Sequence, residues 1–252
     1  MKFRKMHGLG NDFVIIDMRD GAEALSSSVI KRICDRRRGV GCDQLILIEP
    51  STKGDIFMRI YNPDGSESEA CGNATRCVAD IVMAESSVQS CVVQTLGGLL
   101  QCVQQGENRV RVNMGKPASI ETLDLLGSPV HVNVGNPHTV YFVNDAKSTD
   151  VQGLGHKIEH HEMFPNRTNV EFAHINKDGS MRLRVWERGA GITQACGSGA
   201  CATMIAAVEQ GLVSETADVH MDGGTLSMEY TKGGDVFMTG DVAYVFEGDL
   251  AI

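Results

Sequence analysis

Two cysteines 125 positions apart, Cys71 and Cys196, lie in closely matching sequence surroundings. Each follows an arginine, Arg59 or Arg184, by twelve residues, and the polar loop between them contains glycine. The spacing and the Arg, Ala, Cys and Gly positions are identical in the two segments, and each cysteine precedes a helix-like run. A duplicated strand–loop–cysteine–helix unit predicts two similar domains, whose half-sites face each other across a pseudo-twofold axis.

The length of 252 residues fits two domains of about 125 each. Hydrophobic content of 42% and charged content of 22% are those of an ordinary globular protein. The net charge of −9 argues against a nucleic acid or an anionic membrane surface as partner. We find neither a signal peptide nor a run of about 20 apolar residues. Eight cysteines then fit reduced thiols in the cytoplasm better than a disulfide framework.

Hydrophobic patterning predicts strands separated by turns, with one helix after each repeat cysteine and one earlier helix that begins at Ser28 and ends near Gly39. The predicted strands are residues 13–17, 45–48, 56–61, 99–103 and 110–112, with one around Val92, and then 130–134, 140–143, 170–175, 183–186, 226–230, 236–238 and 242–246, with one near Val219. The two repeat helices are predicted over 75–84 and 199–208. This is an α+β fold, with domains at 1–115, possibly joined by a strand from 241–252, and at 116–240.

A cysteine at the start of a helix lies at the positive end of the helix dipole, among N–H groups that lack an intrahelical partner. This position favours the thiolate and is expected to lower the pKa of the thiol. The same N–H groups, at Gly72 and Asn73 and again at Gly197 and Ser198, can hold a carboxylate. Two such thiols on opposite sides of one carbon suit the transfer of a proton from one face to the other, which is cofactor-free epimerisation of an amino acid.

Other uses of the same cysteines remain open at this point. A thiol-based redox or metal sensor is the alternative from a different class. Zinc is disfavoured, because the spacings to Cys77 and Cys201 turn the paired sulfurs about 240° and 140° apart around a helix. A disulfide switch between Cys71 and Cys196 is a further alternative.

The sequence resembles the diaminopimelate epimerases, a family of PLP-independent two-cysteine enzymes of lysine and peptidoglycan-precursor synthesis. The resemblance extends from His7 to about Thr203. It is carried by the motifs His7–Phe13, Asp35–Gln44, Asn62–Ser66, Cys71–Cys77, Thr95–Gly98, Gly135–His138, Arg167–Val170, Glu187–Gly191 and Ala195–Cys201.

The resemblance implies that Cys71 and Cys196 are the acid and base and that His138 and Glu187 tune their pKa values. It implies substrate contacts at Asn11, Gln44, Asn62, Gly72, Asn73, Asn136, Asn169, Glu187, Arg188, Gly197 and Ser198. The family fold has two pseudo-symmetric domains, each a β-barrel-like sheet wrapped round a central helix, with the site in the cleft between them. Diaminopimelate as substrate, no cofactor, no metal and a homodimer are the further expectations. Racemisation or epimerisation of another amino acid on the same fold is the closest alternative.

The chain also departs from common family residues. Ile192 and Gln194 stand where Glu and Leu are frequent, and Ala74-Thr75 replaces a common Gly-Ala pair. Phe246 stands where a tyrosine is often found at the dimer interface. These differences concern dimer geometry and substrate preference and leave the two thiols unchanged.

Overall fold

A computed structural model describes residues 1–21 and 24–251 of the chain. They form two compact units, Met1–Val112 together with the segment that begins at Gly240, and Asn113–Thr239. Ala22, Glu23 and Ile252 fall within the predicted domain limits but lie outside the described residues. The predicted α+β class is confirmed.

The strands of the described residues are β1 Lys2–Gly8, β2 Asn11–Asp17, β3 Gln44–Glu49, β4 Ile56–Tyr61, β5 Glu67–Ser68, β6 Ser90–Thr95, β7 Gly98–Gln104, β8 Arg109–Asn113, β9 Ser119–Thr122, β10 Val130–Asn133, β11 Pro137–Phe142, β12 Asn169–Ile175, β13 Met181–Glu187, β14 Gly191–Thr193, β15 Thr216–Met221, β16 Gly224–Tyr230, β17 Val236–Asp241 and β18 Ala243–Asp249. The helices are α1 Ser27–Cys34, α2 Gly72–Ser86, α3 Val151–Glu159 and α4 Gly197–Glu209.

The duplication seen around the cysteines extends through the whole of each unit. In the first unit β2 pairs parallel with β3, β3 antiparallel with β4, and β4 parallel with β6. In the second unit β11, β12, β13 and β15 are paired in the same directions. One helix, α1 or α3, joins the first parallel pair, and α2 or α4 joins the second.

One strand takes the same place in both units but comes from different parts of the chain. In the second unit β9 pairs antiparallel with β10, just before it in sequence. In the first unit β18, near the end of the chain, pairs antiparallel with the equivalent strand β1. The first unit is therefore completed only by a segment that follows the second.

Helices α2 and α4 form the buried centre of their units. Eleven of the 15 residues of α2 and eleven of the 13 residues of α4 are buried. The residues of α4 are small or apolar on nearly all sides of the helix. This composition is typical of a helix enclosed by other elements rather than one lying on a surface. This enclosure fixes the first turn of each helix, where the repeat cysteines lie.

Helices α1 and α3 lie toward the surface, and the sequence predicted them less well. Helix α1 is capped by Ser26, whose side chain accepts a hydrogen bond from the Val29 N–H, and not by Ser28. It ends at Cys34 and not near Gly39, because the Asp35 carboxylate accepts from the N–H groups of Arg37 and Arg38 and turns the chain.

The sequence reading missed α3, whose sequence is weakly helical since it contains Gly153 and Gly155. Its N-cap is Asp150, which accepts from the Gly153 N–H. A Cβ at Gly155 would lie 2.5 Å from Cβ of Trp186, so this glycine lets the helix approach β13. Close packing, rather than helix propensity, therefore stabilises α3.

All the strands predicted from the sequence are present, with ends that differ by a few residues. The sequence reading missed β1, β5, β9 and β14. Strand β1 is rich in charge, but Lys5 is buried and its Nζ donates to the Asp12 carboxylate and the Gly41 carbonyl. No helix of the described residues is long and apolar enough to span a membrane.

Candidate active site

The two repeat cysteines are the N-cap residues of α2 and α4. Cys71 and Cys196 both have extended backbone conformations, and their carbonyls accept the first helical hydrogen bonds, from Thr75 and Ala200. Both sulfurs therefore lie at the end of a helix where amide N–H groups have no helical carbonyl to bind. The structure confirms that each cysteine directly precedes its helix.

In the first unit, Asn11 and Asn73 are grouped with Cys71. Asn11 comes at the start of β2, and its Oδ1 accepts from Cys71 Sγ at 3.7 Å and from Asn73 Nδ2 at 3.2 Å. Its Nδ2 donates to Asp43 Oδ2 at 3.0 Å. The Asp43 carboxylate therefore fixes which end of the Asn11 amide faces the thiol.

Asp43 belongs to an ionic cluster that the sequence reading did not identify as part of a site. Arg36 Nη2 lies 2.5 Å from Asp12 Oδ1 and 2.7 Å from Asp43 Oδ1, and Lys5 Nζ binds the same Asp12 carboxylate. Burial alone raises the pKa of Asp12, but the hydrogen bonds from Arg36 and Lys5 outweigh burial and hold it well below its ordinary value. The cluster holds the loop before β3 against the start of β2.

The other predicted side chains of the first unit bind each other. Gln44, at the start of β3, donates through Nε2 to Asn62 Oδ1 at 3.1 Å. Asn62 follows β4 and donates to Ser66 Oγ at 3.1 Å. Both side chains are partly exposed, so each can take a new hydrogen bond from a ligand.

In the second unit, the thiol of Cys196 is almost fully buried, with 6% of the residue exposed. Its Sγ accepts from the Gly199 N–H at 3.4 Å and lies 3.6 Å from Ser198 Oγ. Asn136, at the matched position to Asn11, donates through Nδ2 to Ser198 Oγ at 3.3 Å. In both units, therefore, the asparagine at or just before the start of the strand contacts the helix residue two positions after the cysteine.

A chain of hydrogen bonds runs inward from Asn136 to a buried ionisable pair. His138 Nε2 lies 3.0 Å from Asn136 Oδ1, and His138 Nδ1 lies 2.7 Å from Glu171 Oε1. The side chains of both His138 and Glu171 are 0% exposed. His138 was predicted as a site residue, but Glu171 was not, since it lies in an otherwise apolar strand run and looked like part of a buried β-strand.

The remaining predicted residues of the second unit meet at the ends of β12 and β13. Asn169 donates through Nδ2 to the Pro137 carbonyl at 2.9 Å and accepts from the Arg188 backbone N–H at 2.9 Å. The exposed Arg188 side chain donates to the Asn166 carbonyl at 3.2 Å. Glu187 accepts from Thr193 Oγ1 at 2.5 Å.

The electrostatics of Cys196 correct one expectation from the sequence. Burial raises the pKa of the Cys196 thiol well above its ordinary value, and the Glu187 and Glu171 carboxyls raise it further. Burial also raises the pKa of both of these carboxyls. The start of a helix was expected to lower the pKa of the thiol. At Cys196 that effect is outweighed, so this residue rests as a thiol.

The sequence matches the family model described as diaminopimelate epimerase over residues 3–120 and 130–245. It is 46% identical over 269 residues to a diaminopimelate epimerase of Rhodospirillum centenum, covering 99% of this chain and 92% of that protein. It is 47% identical over 264 residues to one from Acidiphilium cryptum, with coverage of 98% and 95%.

Solved structures show the same fold at low sequence identity. A PhzF-family phenazine biosynthesis protein of Bacillus anthracis superposes with a TM-score of 0.76 at 16% identity, covering 100% of this chain and 99% of that one. A hydroxyproline epimerase from Agrobacterium vitis, with bound trans-4-hydroxy-L-proline, gives 0.72 at 15% identity, with coverage of 98% and 91%. At these identities the likeness concerns the fold alone.

Proposed function

The chain belongs to the diaminopimelate epimerase family, and we propose that it converts L,L-2,6-diaminopimelate to the meso form with Cys71 and Cys196 as the reacting thiols. The observation that carries this proposal is the position of the two cysteines at the starts of equivalent helices. An enzyme of this kind is an isomerase of lysine biosynthesis.

The chemistry requires a base on one face of the α-carbon and an acid on the other. A thiolate removes the α-proton, and the opposite thiol donates its own proton to the carbanion, so that the configuration inverts and the two sulfurs exchange protonation states. Because burial and two carboxyls favour the thiol at Cys196, we assign Cys196 as the resting proton donor. The reverse reaction uses the same groups with their roles exchanged.

The carbanion has to be stabilised, since the α-hydrogen of an amino acid is a very weak acid. We assign this role to the N–H groups at Gly72 and Asn73 and at Gly197 and Ser198, which hold the neighbouring carboxylate at a helix start. The Asn11 and Asn136 amides contact the same first turns and present donors and acceptors to the α-ammonium and α-carboxylate groups. The helix ends therefore supply the electrostatic stabilisation, and the thiols move the protons.

The distal amino-acid end of the substrate needs its own recognition. We assign it to Gln44, Asn62, Asn169 and Arg188. The assignment is supported by the exposed Arg188 side chain and by the partly exposed amides of Gln44 and Asn62. Glu187 and His138 are assigned to tuning the pKa of Cys196. Glu187 interacts with Cys196 itself, and His138 binds Asn136, which donates to Ser198 near the thiol. The Arg188 guanidinium can bind the distal carboxylate through two parallel hydrogen bonds. A monoamino acid has no distal carboxylate and would not form them.

The compartment and the oligomeric state are proposed as well. The cytoplasm is the compartment that keeps eight cysteines reduced. A homodimer is supported by exposed apolar residues on β18, where Tyr244 and Phe246 are 55% and 45% exposed. Neither PLP nor a metal takes part in the proposed steps.

The test is incubation with L,L-diaminopimelate in D₂O under reducing conditions, with neither PLP nor metal added. Proton NMR follows the α-hydrogen, and chiral chromatography separates the stereoisomers. We expect meso product that carries solvent deuterium at the inverted carbon. The variants Cys71→Ala and Cys196→Ala are expected to lose inversion.

Absence of both exchange and inversion in folded, reduced wild-type protein would refute the substrate assignment. Inversion of a monoamino acid at an equal or higher kcat/KM would instead favour the alternative of an epimerase for another amino acid. Stoichiometric zinc in protein purified under reducing conditions, together with no activity, would favour the metal-sensor alternative.

A further inference from the structure

Glu159 is a buried acidic residue of the second unit that takes no part in the proposed steps. It is the last residue of α3, and only 2% of the residue is exposed. Burial is unfavourable for a carboxylate, and so is the C-terminal end of a helix, where the helix dipole is negative. A carboxylate in this position has to be stabilised by hydrogen bonds from other elements.

Both oxygens of Glu159 accept hydrogen bonds from the end of β13 and from the turn that follows it. Oε2 accepts from Trp186 Nε1 at 2.7 Å, and Oε1 accepts from the Gly189 backbone N–H at 3.0 Å. Burial raises the pKa of Glu159, but these two hydrogen bonds, together with the nearby His160 and Arg167, outweigh burial and lower the pKa below its ordinary value. The side chain is therefore an ionised acceptor at both ends.

The turn after β13 carries Arg188. The Ala190 N–H donates to the Glu187 carbonyl at 3.1 Å and closes this turn around Arg188 and Gly189. The φ angle of Gly189 is 76°, a left-handed conformation that glycine adopts without strain. Because Arg188 directly precedes Gly189 in the chain, the hydrogen bond to Glu159 also holds the backbone from which the Arg188 side chain extends.

The segment before β12 is held against the same turn. Arg188 donates through Nη1 to the Asn166 carbonyl at 3.2 Å and through its backbone N–H to Asn169 Oδ1 at 2.9 Å. Arg167 lies between these two residues in sequence, and its Nη1 is 3.4 Å from Glu159 Oε1. Glu159 therefore contacts both segments whose side chains, Asn169 and Arg188, are assigned to the distal end of the substrate.

The first unit has different residues at the matching positions. Helix α1, which matches α3, ends at Cys34. Ten residues before its repeat cysteine the first unit has Tyr61 instead of Trp186, and eight residues before it has Pro63 instead of Arg188. These contacts are therefore not a consequence of the shared fold, and they distinguish the second unit from the first.

We propose that Glu159 is a positioning residue for substrate recognition: its carboxylate joins Trp186 to the turn that carries Arg188, and so fixes where the guanidinium meets the distal carboxylate. This role rests on the proposed function, whereas the contacts of Glu159 do not. Because Glu159 acts through Arg188, its loss should weaken substrate binding and leave proton transfer unchanged.

The first test uses Glu159→Gln, which keeps the size of the side chain but replaces one acceptor oxygen by an NH₂ group. One of the two donors, Trp186 Nε1–H or the Gly189 N–H, then faces another donor. We expect KM for diaminopimelate to rise about tenfold, with kcat changed less than about twofold. The matched control is Glu162→Gln, which changes an exposed carboxylate of the same unit and should keep the wild-type KM.

A double-mutant cycle separates this role from a general loosening of the unit. If Glu159 acts through Arg188, then Glu159→Gln should raise KM less than about twofold in an Arg188→Lys background, because the contact that it positions is already weakened. Additive effects of the two substitutions on KM would overturn the proposal. A wild-type KM in Glu159→Gln alone would also overturn it.

A spectroscopic test reports on the contacts directly. Trp186 is the only tryptophan of the chain, so its indole N–H gives a single ¹H–¹⁵N signal. We expect this signal to be protected from solvent exchange in the wild type, to move when diaminopimelate binds, and to shift in Glu159→Gln. An indole signal that Glu159→Gln leaves unchanged would overturn the contacts themselves.

A second variant keeps the proposal testable if Glu159→Gln does not fold. Trp186→Phe keeps an aromatic ring but removes the N–H that donates to Glu159, and it should raise KM at least about threefold with little change in kcat. An unchanged KM in Trp186→Phe would then overturn the proposal. A wild type that is inactive with diaminopimelate would refute the proposed function, a result distinct from an active wild type whose KM these substitutions leave unchanged.

Discussion

Replacing Gly199 by alanine tests how closely the carboxyl, the thiol and the helix pack. The new Cβ would lie 2.9 Å from Glu171 Oε1, 3.3 Å from Cys196 Sγ and 3.4 Å from Cys196 Cβ. Two of these distances are shorter than ordinary contacts, so the buried carboxyl and the thiol have to move by a few tenths of an ångström. Both are held by hydrogen bonds, to His138 and from the Gly199 N–H, which resist that movement.

The effect on stability is expected to be small, because two contributions oppose each other. Alanine in place of glycine favours a helix by roughly 0.5–1 kcal/mol, and overpacking a tight site costs about 1–3 kcal/mol. The free energy of unfolding should therefore fall by about 0–2.5 kcal/mol. The loss of activity should be larger, because the reaction rate falls steeply when the reacting groups are displaced. We expect kcat/KM to fall at least about tenfold, equivalent to about 1.4 kcal/mol of transition-state stabilisation.

The assay is the epimerisation rate with L,L-diaminopimelate, with urea unfolding of the same preparation. The matched control is Ala74→Gly, the reverse change at the equivalent position of α2, where the strand residue that matches Glu171 is Ile46. That variant should lose about 1–2 kcal/mol of stability through a weaker helix and a small cavity and keep its kcat. A Gly199→Ala enzyme with the wild-type kcat/KM would refute the reasoning that these groups have no room to move.

Three other changes test separate features of the molecule. Arg188→Lys should raise KM for diaminopimelate at least about tenfold and change kcat little, since an ammonium cannot bind a carboxylate through two parallel hydrogen bonds; an equal effect on a monoamino acid would reject the distal-end role. Gly155→Ala places a Cβ 2.5 Å from Cβ of Trp186 and should lower the free energy of unfolding by about 1–3 kcal/mol, measured in urea, whereas unchanged stability would show that α3 can shift outward. Asp12→Asn removes a carboxylate that is stabilised in its ionised form by Arg36 and Lys5, so it should cost about 2 kcal/mol at pH 7. Because the pKa of Asp12 is lowered on folding, that stabilisation is present above about pH 4 and is lost as the pH falls; the difference from the wild type should therefore narrow at about pH 3, and a constant difference in urea unfolding at both pH values would contradict it.

The sequence was sufficient to predict the structure where a local residue pattern and the internal repeat agreed. Matching segments around Cys71 and Cys196 predicted two cysteines at helix starts, because a polar loop followed by a helical run reads the same in both halves. The strands were predictable from apolar runs bounded by turn residues. Asn62-Pro63-Asp64-Gly65, for example, forms the turn in which the Gly65 N–H donates to the Asn62 carbonyl.

The sequence was insufficient where structure depends on residues far apart in the chain. Helix α3 contains two glycines, and its position depends on contact with Trp186, which no local pattern reveals. Glu171 lies in a mostly apolar strand, and only its hydrogen bond to His138 on the neighbouring strand makes it part of the site. The raised pKa of Cys196 results from burial and from carboxyls on β12 and β13, so the helix start alone predicted the wrong direction.

The strand β18 has a consequence for the order in which the protein folds during synthesis. The second unit, Asn113–Thr239, is continuous in sequence and includes its own strand β9. The first unit begins earlier, but β1 has only β2 beside it until the ribosome has made β18, after the whole of the second unit. On a ribosome that adds about 5–20 residues per second, the later half of the chain can therefore finish folding before the earlier half. Until then one edge of β1 is unpaired, and an unpaired strand edge can pair with the strands of other chains.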